Sequence, residues 1–127
     1  MKIIITKDYE ELSAKAAEIM LEIVRKNPRA VLGLATGTTP LGLYANMIAD
    51  HKENGTDYSG IRTANLDEYK GLPKTHDQSY AYFMRKNLFD GLGIAPESTN
   101  IENGMAADEA AECAGYDALR EALPRDI

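Results

Sequence analysis

Ala30-Val-Leu-Gly-Leu-Ala-Thr-Gly-Thr-Thr-Pro40 is the stretch that decides the fold. Its first six residues are small or apolar without polar alternation, which is typical of a strand covered on both faces. A helix start follows at once, because Thr39 is a good N-cap residue and Pro40 fits the first helical position. The stretch therefore predicts a strand, a tight turn and a helix in direct succession.

The chain before this stretch predicts another strand and another helix. Residues 2–6 form a β-branched run that is typical of a strand. Asp8 is expected to cap the helix that follows, with Glu11 completing a capping box. The helix would end at Asn27-Pro28. Its apolar residues recur at helical spacing, and we expect a buried stripe of Leu12, Ala16, Ile19, Ile23 and Val24.

The chain after this stretch continues the alternation. The second helix should reach about Asn54, with Gly55 as its C-cap. Residues 61–66 predict a strand, 78–90 an amphipathic helix, 94–101 a connection ending in a short strand, and 108–123 a last helix capped by Asp108. The predicted fold class is therefore α/β, a Rossmann-like parallel sheet with helices on both faces, in the order βαβαβα. Residues 1–127 would form one domain, and residues 124–127 look like the lead into a further strand.

Composition excludes several function classes. The formal net charge of −6 and the absence of a basic stripe argue against nucleic-acid binding. No stretch approaches the roughly 20 apolar residues that a membrane helix needs. A single cysteine, Cys113, allows no internal disulfide and is expected to be a small packed residue. A cytoplasmic location is the expectation that follows.

The turn after the strand at 30–35 has the ingredients of a phosphate site. Gly37 lets backbone N–H groups approach an anion, and Thr36, Thr38 and Thr39 can add hydroxyl donors at the positive end of a helix. No Walker lysine follows, so a nucleotide P-loop is disfavoured. A turn that only caps its helix remains the alternative.

Asp67 and Glu68 follow the strand at 61–66 and suggest acid–base chemistry. Adjacent residues of an extended chain point to opposite sides, so one carboxylate can face a cleft as a general base while the other is solvated or structurally paired. An ordinary acidic loop is the alternative. His76 could act as an acid or base but is more typical of a surface loop. The Tyr80 hydroxyl could reach the same cleft or could simply pack.

Three segments distinguish this sequence from a generic α/β protein: Leu34-Ala-Thr-Gly-Thr-Thr-Pro40, Asn65-Leu-Asp-Glu-Tyr-Lys-Gly-Leu-Pro73 and His76-Asp-Gln-Ser-Tyr80. Together they closely resemble the glucosamine-6-phosphate deaminase family, and the resemblance covers essentially the whole chain. It implies that Thr36, Gly37, Thr38 and Thr39 hold the sugar phosphate. It also implies that Asp67 is the proton acceptor acting between C2 and C1 of the opened amino sugar, and that Tyr80 lines the pocket. The implied reaction yields fructose 6-phosphate and ammonia and needs no metal or organic cofactor.

The sequence departs from the family pattern in one respect. Family members continue into a Gly-x-x-Gly-His segment that carries the ring-opening histidine, and this segment is absent here. We therefore expect 1–127 alone to be inactive or nearly so, with weak phosphate binding retained. Self-association into a homo-oligomer stays open, since family members occur as monomers and as hexamers.

Three alternatives stay open. A 6-phosphogluconolactonase has a similar phosphate loop, but it typically carries Asp-Glu-Arg where this chain has Asp67-Glu68-Tyr69. A sugar-phosphate-sensing module would bind without chemistry, but it usually follows a basic helix-turn-helix segment. A half domain without activity is the third alternative.

Overall fold

Three parallel strands form the centre of the molecule in the computed structural model, which describes residues 1–127. The strands are β1 (Val31–Gly33), β2 (Arg62–Ala64) and β3 (Thr99–Asn100), adjacent in that order. The helices are α1 (Tyr9–Lys26), α2 (Leu41–Asn54), α3 (Tyr80–Met84), α4 (Asp90–Leu92) and α5 (Glu109–Ala122). A π-helical turn, Arg85–Phe89, joins α3 to α4 in one continuous helical segment.

The strands are parallel, as the strand–helix alternation predicts. Val31 lies opposite Arg62, and Thr63 lies opposite Thr99. The chain crosses from β1 to β2 through α2, and from β2 to β3 through α3 and α4. This connectivity confirms the predicted α/β class.

The predicted first strand at residues 2–6 is not formed. The segment has no regular structure, and Ile3 and Ile5 are 71% and 91% exposed. A strand is held by hydrogen bonds to a neighbouring strand, and none of the three strands pairs with this segment. β-Branched residues make a segment suitable for pairing but supply no partner, so the regular structure begins with α1.

Helices cover both faces of the sheet, but unequally. A cluster of fourteen buried hydrophobic residues lies on one face and includes Leu32 of β1 and the following Leu34, together with residues of α1, α2 and the helical segment 80–92. On the other face, Arg120 of α5 lines a cavity with Gly33 and Ala64. α5 buries only Tyr116, so this second face is only partly covered.

α1 buries a stripe that agrees with the predicted one only in part: Val24 is buried as predicted, and Ala16 and Ile23 are partly buried. Its buried residues are Ser13, Ala17, Met20 and Val24, whereas the predicted Leu12 and Ile19 are exposed. The physical reason is a close contact with α2 at Gly42, where an added Cβ would lie 2.2 Å from Ser13 Oγ. The small Ser13 side chain allows this approach, so the face of α1 at the contact runs through Ser13 instead of Leu12.

Most of the predicted helix ends are confirmed. Asp8 accepts the N–H of Glu11 at 2.8 Å, and Asp108 caps α5 in the same way. Gly55 ends α2 in the left-handed conformation with φ 69°. Thr39, however, does not cap α2, which has no side-chain cap from the residue at its start.

The last residues of the chain lie along the free edge of β1. The Asp126 N–H donates to the Val31 carbonyl, and the Gly33 N–H donates to the Ile127 carbonyl, both at 2.8 Å. No helix in the structure combines the length and the apolar composition of a membrane span.

The contact at Gly42 gives a stability prediction. Gly42→Ala places a methyl group where Ser13 already lies, so we expect the free energy of unfolding to fall by about 1–3 kcal/mol. The matched control is Gly115→Ala in the interior of α5, where an added Cβ meets no atom within 4 Å. That substitution should raise stability by about 0.5–1 kcal/mol. Urea unfolding measures both, and equal effects would contradict the assigned contact.

Candidate functional site

The carboxyl ends of the three strands meet at one edge of the sheet. Thr36, Asp67 and Glu102 each follow a strand by two or three residues. In open parallel sheets this edge is where ligands bind. The topology therefore brings the two predicted site segments together and adds a third, after β3, that the sequence interpretation did not single out.

The phosphate-type loop presents unused donors. Gly37 has φ 97°, a left-handed conformation that favours glycine, and an added Cβ there would meet no atom within 4 Å. The backbone N–H groups of Gly37, Thr38 and Thr39 make no hydrogen bond within the chain, and all three residues are exposed. Successive free N–H groups in a turn before a helix form a concave anion site.

Two buried tyrosines hold the strand ends in place. The Tyr44 hydroxyl of α2 donates to the Ala35 carbonyl at 2.5 Å and accepts the Ala35 N–H at 3.1 Å. The Tyr116 hydroxyl of α5 lies 2.6 Å from the Asn65 carbonyl oxygen and 2.9 Å from that of Asn100, and shares its hydrogen between them. The loops that start at these points are therefore anchored at their bases.

The two adjacent carboxylates have different surroundings. Glu68 accepts the backbone N–H groups of Tyr80 and Ala81 at the start of α3, at 2.8 and 2.9 Å. Asp67 is exposed, and its carboxylate makes no hydrogen bond or ion pair within the chain. One of the neighbouring carboxylates is thus structurally paired, as predicted, and Asp67 is the one left free for chemistry.

Tyr80 links the phosphate-type loop to Asp67. Its ring lies against Tyr69, with ring centroids 4.6 Å apart and planes inclined by 40°. The pKa of Tyr80 is raised above its ordinary value by the Tyr69 hydroxyl, by burial and by the charge of Asp67, while the Thr36 hydroxyl acts in the opposite direction. Thr36 and Asp67 are therefore both close enough to Tyr80 to act on its pKa.

Glu102 is a site residue that the sequence interpretation missed. It lines a cavity of about 320 Å³ together with Asp67, Gly104 and Glu112. Burial raises the pKa of Glu102, the charge of Asp67 raises it further, and its Oε2 atom is buried without a hydrogen-bond partner. Its position two residues after β3, close to the three-residue offset of Thr36 and Asp67 after their strands, is the sequence signal that could have found it.

The segment that carries Asp67 is also held by the loop after β3 and by α5. The Gly71 N–H donates to the Gly104 carbonyl at 2.7 Å, and Lys70 pairs with Glu109 of α5. An added Cβ at Gly104 would lie 2.1 Å from the Tyr69 carbonyl oxygen, so only glycine permits this approach. The loops after β2 and β3 therefore form one supported wall of the site.

The remaining candidates lie outside this arrangement. His76 is exposed, and its Nδ1 accepts the Gln78 N–H at 3.0 Å, which agrees with a surface-loop role. Cys113 is exposed and lines the cavity beside Glu102, so the prediction that it is packed is wrong. The last helix buries few of its residues, and this leaves the thiol open. No group of three His, Cys, Asp or Glu side chains is arranged to hold a metal ion.

The division between Asp67 and Glu68 can be tested by stability. Glu68→Ala removes an acceptor from the start of α3, and we expect the free energy of unfolding to fall by about 1–2 kcal/mol, the usual cost of losing a cap. Asp67→Ala is the matched control and should change stability by less than about 0.5 kcal/mol, because no internal bond is lost. Urea unfolding measures both. A larger loss from Asp67→Ala would contradict the assigned roles.

The buried tyrosines predict a decline in stability at alkaline pH. Burial raises the pKa of Tyr44, Tyr58 and Tyr116 to about 12 from an ordinary 10.0. Between pH 10 and 12 the unfolded chain releases these protons while the folded chain keeps them, so stability falls as pH rises. Urea unfolding at pH 9, 10 and 11 measures the slope. Tyr44→Phe should make the slope shallower, and an unchanged slope would contradict the assignment.

Comparison with known proteins shows which proteins the chain is similar to. No protein-family model matches the chain. It is 49% identical over 118 residues to a glucosamine-6-phosphate deaminase of Clostridium perfringens, covering 93% of this chain and 49% of the relative. Its fold matches a solved monomeric glucosamine-6-phosphate deaminase with a TM-score of 0.94 and 40% identity, over 98% of this chain and 52% of that one.

A more distant structural neighbour shares the fold alone. The 6-phosphogluconolactonase of Thermotoga maritima matches with a TM-score of 0.71 at 17% identity, over 96% of this chain and 54% of that one. The chain spans about half the length of the curated relatives it matches. By sequence and by fold, the chain is similar to about half of a glucosamine-6-phosphate deaminase.

Proposed function

We propose that the chain supplies the phosphate loop and the catalytic base of a glucosamine-6-phosphate deaminase, which converts glucosamine 6-phosphate to fructose 6-phosphate and ammonia. One observation carries this proposal. Asp67 is an unpaired carboxylate at the same sheet edge as a loop with free N–H donors. The relatives named as deaminases supply the substrate class.

The phosphate loop binds and orients the substrate. The N–H groups of Gly37, Thr38 and Thr39 and the threonine hydroxyls donate to the phosphate oxygens, and the start of α2 adds its positive dipole. The net charge of −6 does not oppose this, because a local set of donors at short range outweighs distant screened charges. Holding the phosphate fixes the distance of the sugar carbons from the neighbouring strand end.

Asp67 performs the proton transfer. Its carboxylate takes the proton from C2 of the opened amino sugar and returns it to C1, which makes the ketose derivative from which ammonia is lost. Asp67 is available for this step because Glu68, and not Asp67, is engaged by the backbone N–H groups of α3. The Tyr80 ring, held by Tyr69, forms a wall of the pocket.

The proposed reaction requires no cofactor. Proton transfer between adjacent carbons needs a base at the right distance, and loss of ammonia needs water. A sugar phosphate is the proposed partner, and a cytoplasmic location belongs to the same proposal. Because the chain spans about half the length of its relatives, ring opening and the full turnover rate are assigned to the complete deaminase and not to residues 1–127.

A half-reaction tests Asp67 without ring opening of the amino sugar. The chain is incubated with fructose 6-phosphate and ammonium in D₂O, and deuterium entry at C1 is followed by NMR. We expect Asp67-dependent exchange that falls by about 10²–10⁴-fold in Asp67→Asn, the usual contribution of one general base. Asp77→Asn, an exposed carboxylate of the same loop region, is the matched control and should exchange normally.

Binding and a counter-substrate complete the test. Chemical shifts of the Gly37, Thr38 and Thr39 amides should move on addition of glucosamine 6-phosphate, in the unsubstituted chain and in Asp67→Asn alike. Exchange that persists in Asp67→Asn would remove Asp67 from the role. Hydrolysis of 6-phosphogluconolactone by the chain would contradict the deaminase proposal in favour of the lactonase.

A further inference from the structure

The hydroxyl of Tyr9 lies at the start of α2, although Tyr9 belongs to α1. It accepts the N–H of Gly42 at 2.8 Å. It also lies 3.0 Å from the carbonyl oxygens of Thr38 and Thr39 and donates its hydrogen to them. One side chain therefore contacts three backbone groups of the phosphate loop and of the first turn of the following helix.

These contacts replace a missing cap. A helix start normally has its second or third N–H accepted by the side-chain oxygen of the N-cap residue. Pro40 stands at that position in α2 and has no such oxygen. Gly42 is the second residue of α2, and its N–H finds its acceptor on Tyr9, 33 residues away in sequence.

The replacement leaves the loop threonines free. If Thr39 capped α2, as its position in the sequence suggests, its hydroxyl would face the helix and be lost to a ligand. Because Tyr9 supplies the acceptor, the hydroxyls of Thr38 and Thr39 stay available, while their carbonyl oxygens are held from behind. The Thr38 carbonyl shares its peptide unit with the Thr39 N–H, so the same contact also fixes the orientation of that free donor.

We propose that Tyr9 is a positioning residue for phosphate binding: it caps α2 from α1 and so holds the loop with its donors turned to the ligand. This inference rests on the proposed function, since it concerns the same loop. It adds a residue that lies outside the three motif segments of the sequence and outside the loop itself.

The packing of α1 on α2 supports this role independently. An added Cβ at Gly42 would lie 2.8 Å from Ser13 Cβ and 3.0 Å from Tyr9 Cε1. The glycine thus allows the Tyr9 ring to approach the helix start closely enough for its hydroxyl to reach the Gly42 N–H. A residue with a side chain at position 42 would push the ring outward and break the contact.

The test compares Tyr9→Phe with Tyr82→Phe in the full chain. Tyr9→Phe removes only the hydroxyl and keeps the half-exposed ring, so both variants should fold. Tyr82→Phe makes the same chemical change on a half-buried residue of α3 whose hydroxyl makes no hydrogen bond to the loop. Two quantities are measured at low temperature, where every variant is folded: hydrogen exchange of the Gly42 amide, and the dissociation constants for inorganic phosphate and glucosamine 6-phosphate.

We expect the Gly42 amide of Tyr9→Phe to exchange about fivefold faster or more, the size of one neutral hydrogen bond. The affinity for both phosphate probes should fall by about the same factor, with Tyr82→Phe unchanged in both respects. A merely structural tyrosine would lower the unfolding midpoint without changing phosphate affinity in the folded state.

The outcomes separate this inference from the proposed function. If the unsubstituted chain binds neither probe, the proposed function fails and the ligand role of Tyr9 fails with it. If the chain binds phosphate and Tyr9→Phe binds it equally well, only the role of Tyr9 is overturned. Unchanged exchange at Gly42 would likewise overturn the assignment of Tyr9 as the cap.

Discussion

Parallel pairing of β1, β2 and β3 is the constraint on which the rest of the structure depends. It brings the ends of three strands to one edge, and the loops after them carry Thr36, Asp67 and Glu102. The strands are only two or three residues long, so their own hydrogen bonds are few. The hydroxyls of Tyr44 and Tyr116 hold the strand ends where the ladder stops.

In the candidate site, some side chains hydrogen-bond to the backbone and hold the loops, while neighbouring side chains make no such bond. Glu68 is held by the start of α3, and its neighbour Asp67 is left open. Tyr9 occupies the cap of α2, and Thr39 is left open. In both places a backbone N–H that needs an acceptor is satisfied by a side chain other than the proposed functional one. A rigid site with unpaired functional groups requires such support.

Much of the fold and part of the site could be predicted from the sequence. The apolar run at 30–35, the cap at Asp8 and the glycine at 55 act locally, so β1, α1 and the end of α2 were predicted correctly. The failures at residues 2–6, at Leu12 and at Thr39 have a common cause. A strand needs a partner, a buried stripe needs a neighbouring helix, and a cap is decided by competition among acceptors, none of which is a local property.

The sequence by itself determined the α/β alternation, the resemblance to the deaminases and the two segments that contain Gly37 and Asp67, because turn chemistry and short motifs depend on adjacent residues. The tertiary structure alone decided which carboxylate is free, that Glu102 joins the site and that Tyr9 reaches the start of α2. Each of these depends on contacts between residues that lie far apart in the chain. The free carboxylate, for example, is decided by which of two adjacent side chains accepts the backbone N–H groups at the start of α3. Spacing along the sequence carries no information about such contacts.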